Sequence, residues 1–127
     1  MSNFTSRLEV TPLDDGRRWR LIRAFPWGFI VVPVGFITDF ASVPRLFWWL
    51  VSPWGKYGKA AIIHDFLYQN RGYYFDGSTI GVWVPVDRWQ ADHEFLLGMQ
   101  ALGAAPWRRR LMYWGVRAFG WLAWEKR

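Results

Sequence analysis

The run His64-Asp65-Phe66-Leu67-Tyr68 follows Gly58-Lys59-Ala60-Ala61-Ile62-Ile63, and Ala91-Asp92-His93-Glu94-Phe95 comes after a long connection. With both runs helical, His64 and Tyr68 share a face four residues apart, and Asp92 can reach the imidazole from the second helix. That pairing is a base with its orienter. A neutral histidine held by a carboxylate can take a proton from water near pH ~7. Asp65, pointing off an adjacent face, is placed to bind a cation or an amide. The same residues also suit a plainer role, a packed histidine beside a buried hydrogen-bond acceptor.

Asp39 extends the set. Three carboxylates (Asp39, Asp65, Asp92) with one His suit a hard divalent ion, calcium or magnesium held by Asp65 and Asp39, or a hydrolytic water; zinc would ask for more His or Cys. Asp39 has a second use at a strand end ahead of a helix, capping the amides of Ser42 or Val43. Ser42 is a poor nucleophile, because Phe40-Ala41-Ser42-Val43-Pro44 lacks the glycine turn of a nucleophile elbow. With only His64 and His93 present, an HD-type phosphohydrolase site is short of ligands. His93, on a neighbouring face of its helix, is expected to be exposed.

These side chains need a scaffold, and 127 residues correspond to one domain with a real core. Hydrophobic residues make up 52% and aromatics 20%, with 11 Trp. That exceeds what a small core requires, so part of the aromatic surface should meet a protein partner, a membrane interface or a flat ligand. Cysteine is absent, which excludes disulfides and thiolate metal sites. Met1 to Val10 has no apolar h-region, so synthesis into the cytoplasm is expected. The longest apolar run, Ala24 to Ile37, is broken by Pro26 and Pro33 and is shorter than the ~20 residues a spanning helix needs. The net charge of +6 is unevenly spread. Positions 106–127 hold Arg108, Arg109, Arg110, Arg117, Lys126 and Arg127 against Glu125 alone, whereas the rest is nearly balanced. Any anionic partner therefore belongs to the last element.

The pattern predicts an α+β chain with a small N-terminal antiparallel sheet followed by about four helices. Residues 1–37 form the sheet: Leu8–Leu13 and Trp19–Phe25 are strands around an Asp14-Asp15-Gly16 turn, and Phe29–Val32 is a third that runs through Pro33 and Gly35 into Phe36-Ile37. Residues 38–105 carry the polar site. Ser42 and Pro44 open a helix over Arg45–Val51, Ser52-Pro53-Trp54-Gly55 breaks it, and Lys59–Gln69 is the next. Arg71–Gly81 is a loop or irregular hairpin with Val82–Val84 as a strand. Val86–Leu102 is helical, with Trp89, Leu96, Met99 and Leu102 on its apolar stripe and Asp92 on or near it. A buried Asp92 is expensive unless paired. Residues 106–127 form a basic, aromatic C-terminal helix with Trp107, Leu111, Trp114, Ala118, Trp121 and Leu122 on one face and Arg109, Tyr113 and Arg117 on another.

Four blocks resemble an uncharacterised family of tailed-phage and prophage genomes, domain of unknown function 1353. They are Gly35–Arg45, Tyr57–Tyr68, Ala91–Phe95 and Tyr113–Gly120. The resemblance implies a bacteriophage gene product and supplies no activity. The pattern His-Asp-x-x-Tyr with a later Asp also looks like secreted and parvoviral phospholipases A2. That likeness implies His64 as the water-activating base, Asp65 as a calcium ligand, and Tyr68 with Asp92 as its support. The sequence departs from those enzymes in having no glycine between Asp39 and Trp49, where they carry a calcium loop.

Two functional classes follow. One is a hydrolase with His64 as general base. The other is a non-enzymatic virion assembly or host-interaction protein that meets other phage proteins or a host envelope component through its aromatic and basic surface, in the host cytoplasm or the virion. The Arg108-Arg109-Arg110 run with Arg117 can face an anionic surface, or be solvated while the Trp face completes the core; the second is the default for a terminal helix. Cations in a helix's first turn oppose its dipole, which favours an external anion.

Overall fold

The computed structural model describes residues 7–39, 57–75 and 81–125. The expected helix over Arg45–Val51 and the Ser42 cap lie outside them. β1 (Val10–Pro12), β2 (Trp19–Leu21) and β5 (Ile37–Thr38) form an antiparallel sheet in the order β1-β2-β5. Asp15 closes the β1–β2 turn by accepting the amides of Arg17 and Arg18, and Gly16 takes a left-handed φ of 71°. The expected strand Trp19–Phe25 is two strands, because the chain leaves the sheet at Ile22 and starts a separate hairpin. In that hairpin β3 (Phe25–Trp27) pairs with β4 (Ile30–Val32) across Gly28-Phe29. Gly28 has φ 59°, and a two-residue hairpin loop requires positive φ at such a position. β4 likewise does not run on into Phe36-Ile37. The chain turns at Pro33–Phe36, and Ile37–Thr38 joins β2 instead.

The inward side of the β3–β4 hairpin buries Phe25, Trp27, Ile30 and Val32 next to helix α1 (Gly58–Asn70). Every residue of α1 from Ala60 to Tyr68 is buried, as expected of a helix apolar on all sides. It ends on Arg71, whose φ of 56° is left-handed. The β6 (Gly72–Tyr74) and β7 (Trp83–Pro85) strands then make a third antiparallel sheet within the segment expected as a loop or irregular hairpin. Helix α2 (Arg88–Ala101) packs along α1. Its buried stripe is Ala91, Asp92, Phe95, Gly98 and Met99, while Trp89, expected on that stripe, is exposed because it lies about 120° round the helix from Phe95. Helices α3 (Pro106–Phe119) and α4 (Trp121–Glu125) close the fold. They are nearly one helix, since Gly120 keeps right-handed helical angles and bonds run from Gly120 N to Val116 O and from Trp124 N to Gly120 O. The described elements thus form the α+β arrangement, antiparallel strands followed by four helices.

The start of α2 sets the height of Asp92 and is fixed by a reciprocal cap: the Asp87 carboxylate accepts the Gln90 amide at 2.7 Å, and the Gln90 side chain accepts the Asp87 amide at 2.9 Å. Asp87→Ala should therefore cost about 1 kcal/mol, read as a lower midpoint in urea unfolding with an unchanged slope.

Candidate functional site

One carboxylate gathers three helices. Asp92 Oδ1 lies 2.6 Å from His64 Nε2 and accepts the Tyr68 hydroxyl at 2.6 Å. Its Oδ2 accepts Arg117 Nη1 at 2.9 Å, with Arg88 Nη1 3.5 Å away. His64 and Tyr68 can share a single oxygen because they stand one helical turn apart on α1. Arg88 is one turn before Asp92 on α2, and Arg117 comes from the last turn of α3. Arg88 also donates to the Val116 and Arg117 carbonyls at 2.9 Å each near the C-terminal end of α3, the first of which also accepts the Gly120 amide. His64 and Asp92 are wholly buried. The imidazole sits between the rings of Tyr68 and Phe95, at centroid separations of 4.2 and 4.9 Å.

Burial alone would push the Asp92 carboxyl up. The hydrogen bonds from His64, Tyr68 and Arg117 outweigh it and hold the group below its ordinary range. Tyr68 is shifted the other way, since burial first and the Asp92 charge second keep its phenol protonated beyond its usual limit. The cluster is therefore a carboxylate held ionised in a dry setting, with a neutral phenol and an imidazole on the same oxygen. Such an arrangement orients an imidazole and stabilises a positive charge developing on it.

Of the expected site residues, His64, Tyr68 and Asp92 come together. Asp65 faces elsewhere: its Oδ2 accepts the Thr38 hydroxyl and the Gln69 amide, the latter at 2.9 Å. Those donors do at that oxygen what a cation would do, and they tie α1 to β5. Asp39 is half-buried just after β5. Among the described residues no three His, Asp or Glu side chains group closely enough to hold a metal ion. His93, expected in solvent, is half-buried and stacks on Trp89 at 5.2 Å with rings nearly parallel.

Sequence reasoning missed Arg88, the inward role of Arg117, and Gly120. The i, i+4 spacing of Arg88 and Asp92 was a usable signal for the first. A side chain at Gly120 would place its Cβ 2.5 Å from the Tyr68 hydroxyl and 3.2 Å from Arg88 Nη1, so the close passage of the α3–α4 junction depends on glycine. Arg71 completes the surround, donating to the Trp124 carbonyl at 2.7 Å while its guanidinium lies 4.8 Å from the Trp124 ring centre.

Removing the Asp92 charge strands two arginines and an imidazole. Asp92→Asn should cost about 3–5 kcal/mol, read from chemical denaturation. Because the folded-state pKa of Asp92 is depressed, its contribution is complete above the ordinary carboxylate value of about 4 and is lost as pH falls through the folded value. The stability of the native protein should drop in that acid range more steeply than that of Asp92→Asn.

A family model for proteins of unknown function matches residues 19–116. An uncharacterised protein of Sinorhizobium fredii, y4jT, is 31% identical over 91 residues, which is 70% of this chain and 23% of that protein. The chain thus spans less than a quarter of the length of that relative. No solved structure matches it. Since the matched segment runs from β2 to Val116 and holds His64, Tyr68, Arg88 and Asp92, the chain belongs to the family of proteins of unknown function DUF1353.

Proposed function

We propose that this chain is a phage-encoded hydrolase in which His64 is the general base. One observation carries the reading: Asp92 Oδ1 takes both the Tyr68 hydroxyl and the His64 ring at 2.6 Å, and it takes the ring through Nε2. With Nε2–H donating to the carboxylate, the basic nitrogen of the neutral ring is Nδ1. The imidazole would accept a proton from water as the water oxygen bonds to an acyl carbon, and Asp92 would stabilise the imidazolium so formed. The proton would then pass to the departing oxygen. Tyr68, Arg117 and Arg88 act as positioning residues, holding the carboxylate. The resemblance of the His-Asp-x-x-Tyr pattern with a later Asp to phospholipases A2 favours a carboxylic ester as substrate. Energetics support chemistry too, because apolar residues of similar volume usually fill a core as well as a buried ion network does.

The complete burial of His64, Asp65 and Asp92 favours a second reading, an internally satisfied network inside a non-enzymatic virion or host-interaction protein. The two separate on one variant. His64→Gln retains an amide that can donate to Asp92 but cannot act as a base. Against a panel of acyl esters, with and without calcium or magnesium, the hydrolase reading expects turnover by the native chain and a loss of about 10²–10⁴-fold in folded His64→Gln. A folded variant with native turnover, or normal plaques from a phage carrying it, would sink the reading.

A further inference from the structure

The C-terminal helices face opposite to the expectation that their aromatic side completes the core. The buried side of α3 and α4 is Met112, Gly115, Val116 and Ala123. Trp107, Leu111, Trp114, Trp121 and Leu122 instead point to solvent, with Trp107, Trp114 and Trp121 exposed at 59%, 67% and 49%. At 100° per residue these side chains and Ala118 make a single stripe along both helices, about four turns long. Arg110 borders it on one side and Arg108 on the other, the latter with its guanidinium 5.3 Å from the Trp107 ring centre. An apolar strip of this length on a monomer surface requires an occupant.

We infer that this stripe is a docking surface for an anionic lipid bilayer, with α3 and α4 lying in the interface plane. Three observations select that occupant. The first is composition: the stripe is dominated by Trp, whose amphipathic ring is suited to headgroup depth, and Leu111 and Leu122 are spaced to dip further. The second is charge. Pro106 to Trp124 contains four arginines and no acid, with Glu125 just past the stripe. Arg108 and Arg110 stand at the edges, where their aliphatic stems can cover apolar surface while the guanidinium meets phosphate. Two copies of this face would oppose those cations with no acid in the segment to pair them, which disfavours a second copy. The third is what the other arginines do. Arg109 donates to the Ala104 carbonyl and Arg117 to Asp92, so the cation row that a nucleic-acid backbone would need is halved. The first-turn arginines, unfavourable against the helix dipole, are repaid by lipid phosphate. This surface is independent of the hydrolase reading.

The test is co-sedimentation of the purified chain with vesicles of equal parts phosphatidylcholine and phosphatidylglycerol, against pure phosphatidylcholine. The expected result is binding to the mixed vesicles at least about tenfold tighter, weakening with salt. Trp107→Gln with Trp114→Gln should abolish it, and Arg108→Gln with Arg110→Gln should reduce the preference for anionic lipid by about tenfold. All four positions lie outside the buried cluster, and circular dichroism with thermal melting confirms each variant's fold. Failure of the native chain to sediment with either vesicle, or equal sedimentation by the folded Trp variant, overturns the proposal. So does light scattering that shows a dimer converted to monomer by the Trp changes, which would assign the face to a second copy.

Discussion

The fold is organised around the cost of burying the Asp92 charge. An ionised carboxylate in a dry core is tolerated only when its oxygens are filled with donors. Here the donors arrive from α1 (His64, Tyr68), α2 (Arg88) and α3 (Arg117). Each helix can supply its donor at one axial height and one rotation, so the carboxylate acts as a gauge for the packing of all three. Hydrophobic contacts would hold α1 against α2 over a range of small slides. The requirement that His64 and Tyr68 meet one oxygen leaves far less freedom, because sliding by a fraction of a turn breaks both bonds together.

The same constraint links architecture to chemistry. His64 Nε2 is committed to Asp92, which fixes the plane and position of the imidazole. Asp65, adjacent in sequence but about 100° round the helix, is committed to Thr38 and Gln69 and secures α1 to the N-terminal sheet. The helix that carries the candidate base is thereby fixed on two sides by two carboxylates with separate tasks. Such fixing is what an oriented base needs, and a purely structural helix gains from it as well. Geometry alone serves both readings, and turnover decides between them.

Much of this was legible in the residues. The His64–Asp92 contact and its Tyr68 support follow from helical spacing once the two helical runs are recognised, and the turns at Asp14–Gly16 and after α1 carry their own chemistry. The errors have physical causes. Trp19–Phe25 reads as one strand because apolar alternation persists through it, but alternation does not reveal that Ile22–Ala24 leaves one sheet for another. The aromatic row of α3 reads as inward because period reports which residues share a face and says nothing of which face turns to the core. Arg88 carries no signal beyond its spacing from Asp92, and Arg117 reads as a surface charge because long basic side chains are usually solvated.

The aromatic row shows how the buried charge decides the issue. α3 has apolar residues on two sides, Met112 and Val116 on one and Trp107, Leu111 and Trp114 on the other, so burial of apolar area alone would favour the tryptophans as the inward face. Turning α3 by half a revolution to bury them would carry Arg117 away from Asp92 and lift the Val116 and Arg117 carbonyls off Arg88. The carboxylate would then keep His64 and Tyr68 but lose a charged partner, a penalty of several kcal/mol of the kind that follows from breaking a buried pair. A few apolar side chains at about 1.5–3 kcal/mol each compete with that penalty on equal terms, and the observed orientation shows that the ionic contacts, together with the close passage at Gly120, prevail. The exposed tryptophans are thus a consequence of satisfying Asp92, and an apolar surface held outward by the core is available for an external partner without any rearrangement of the helices.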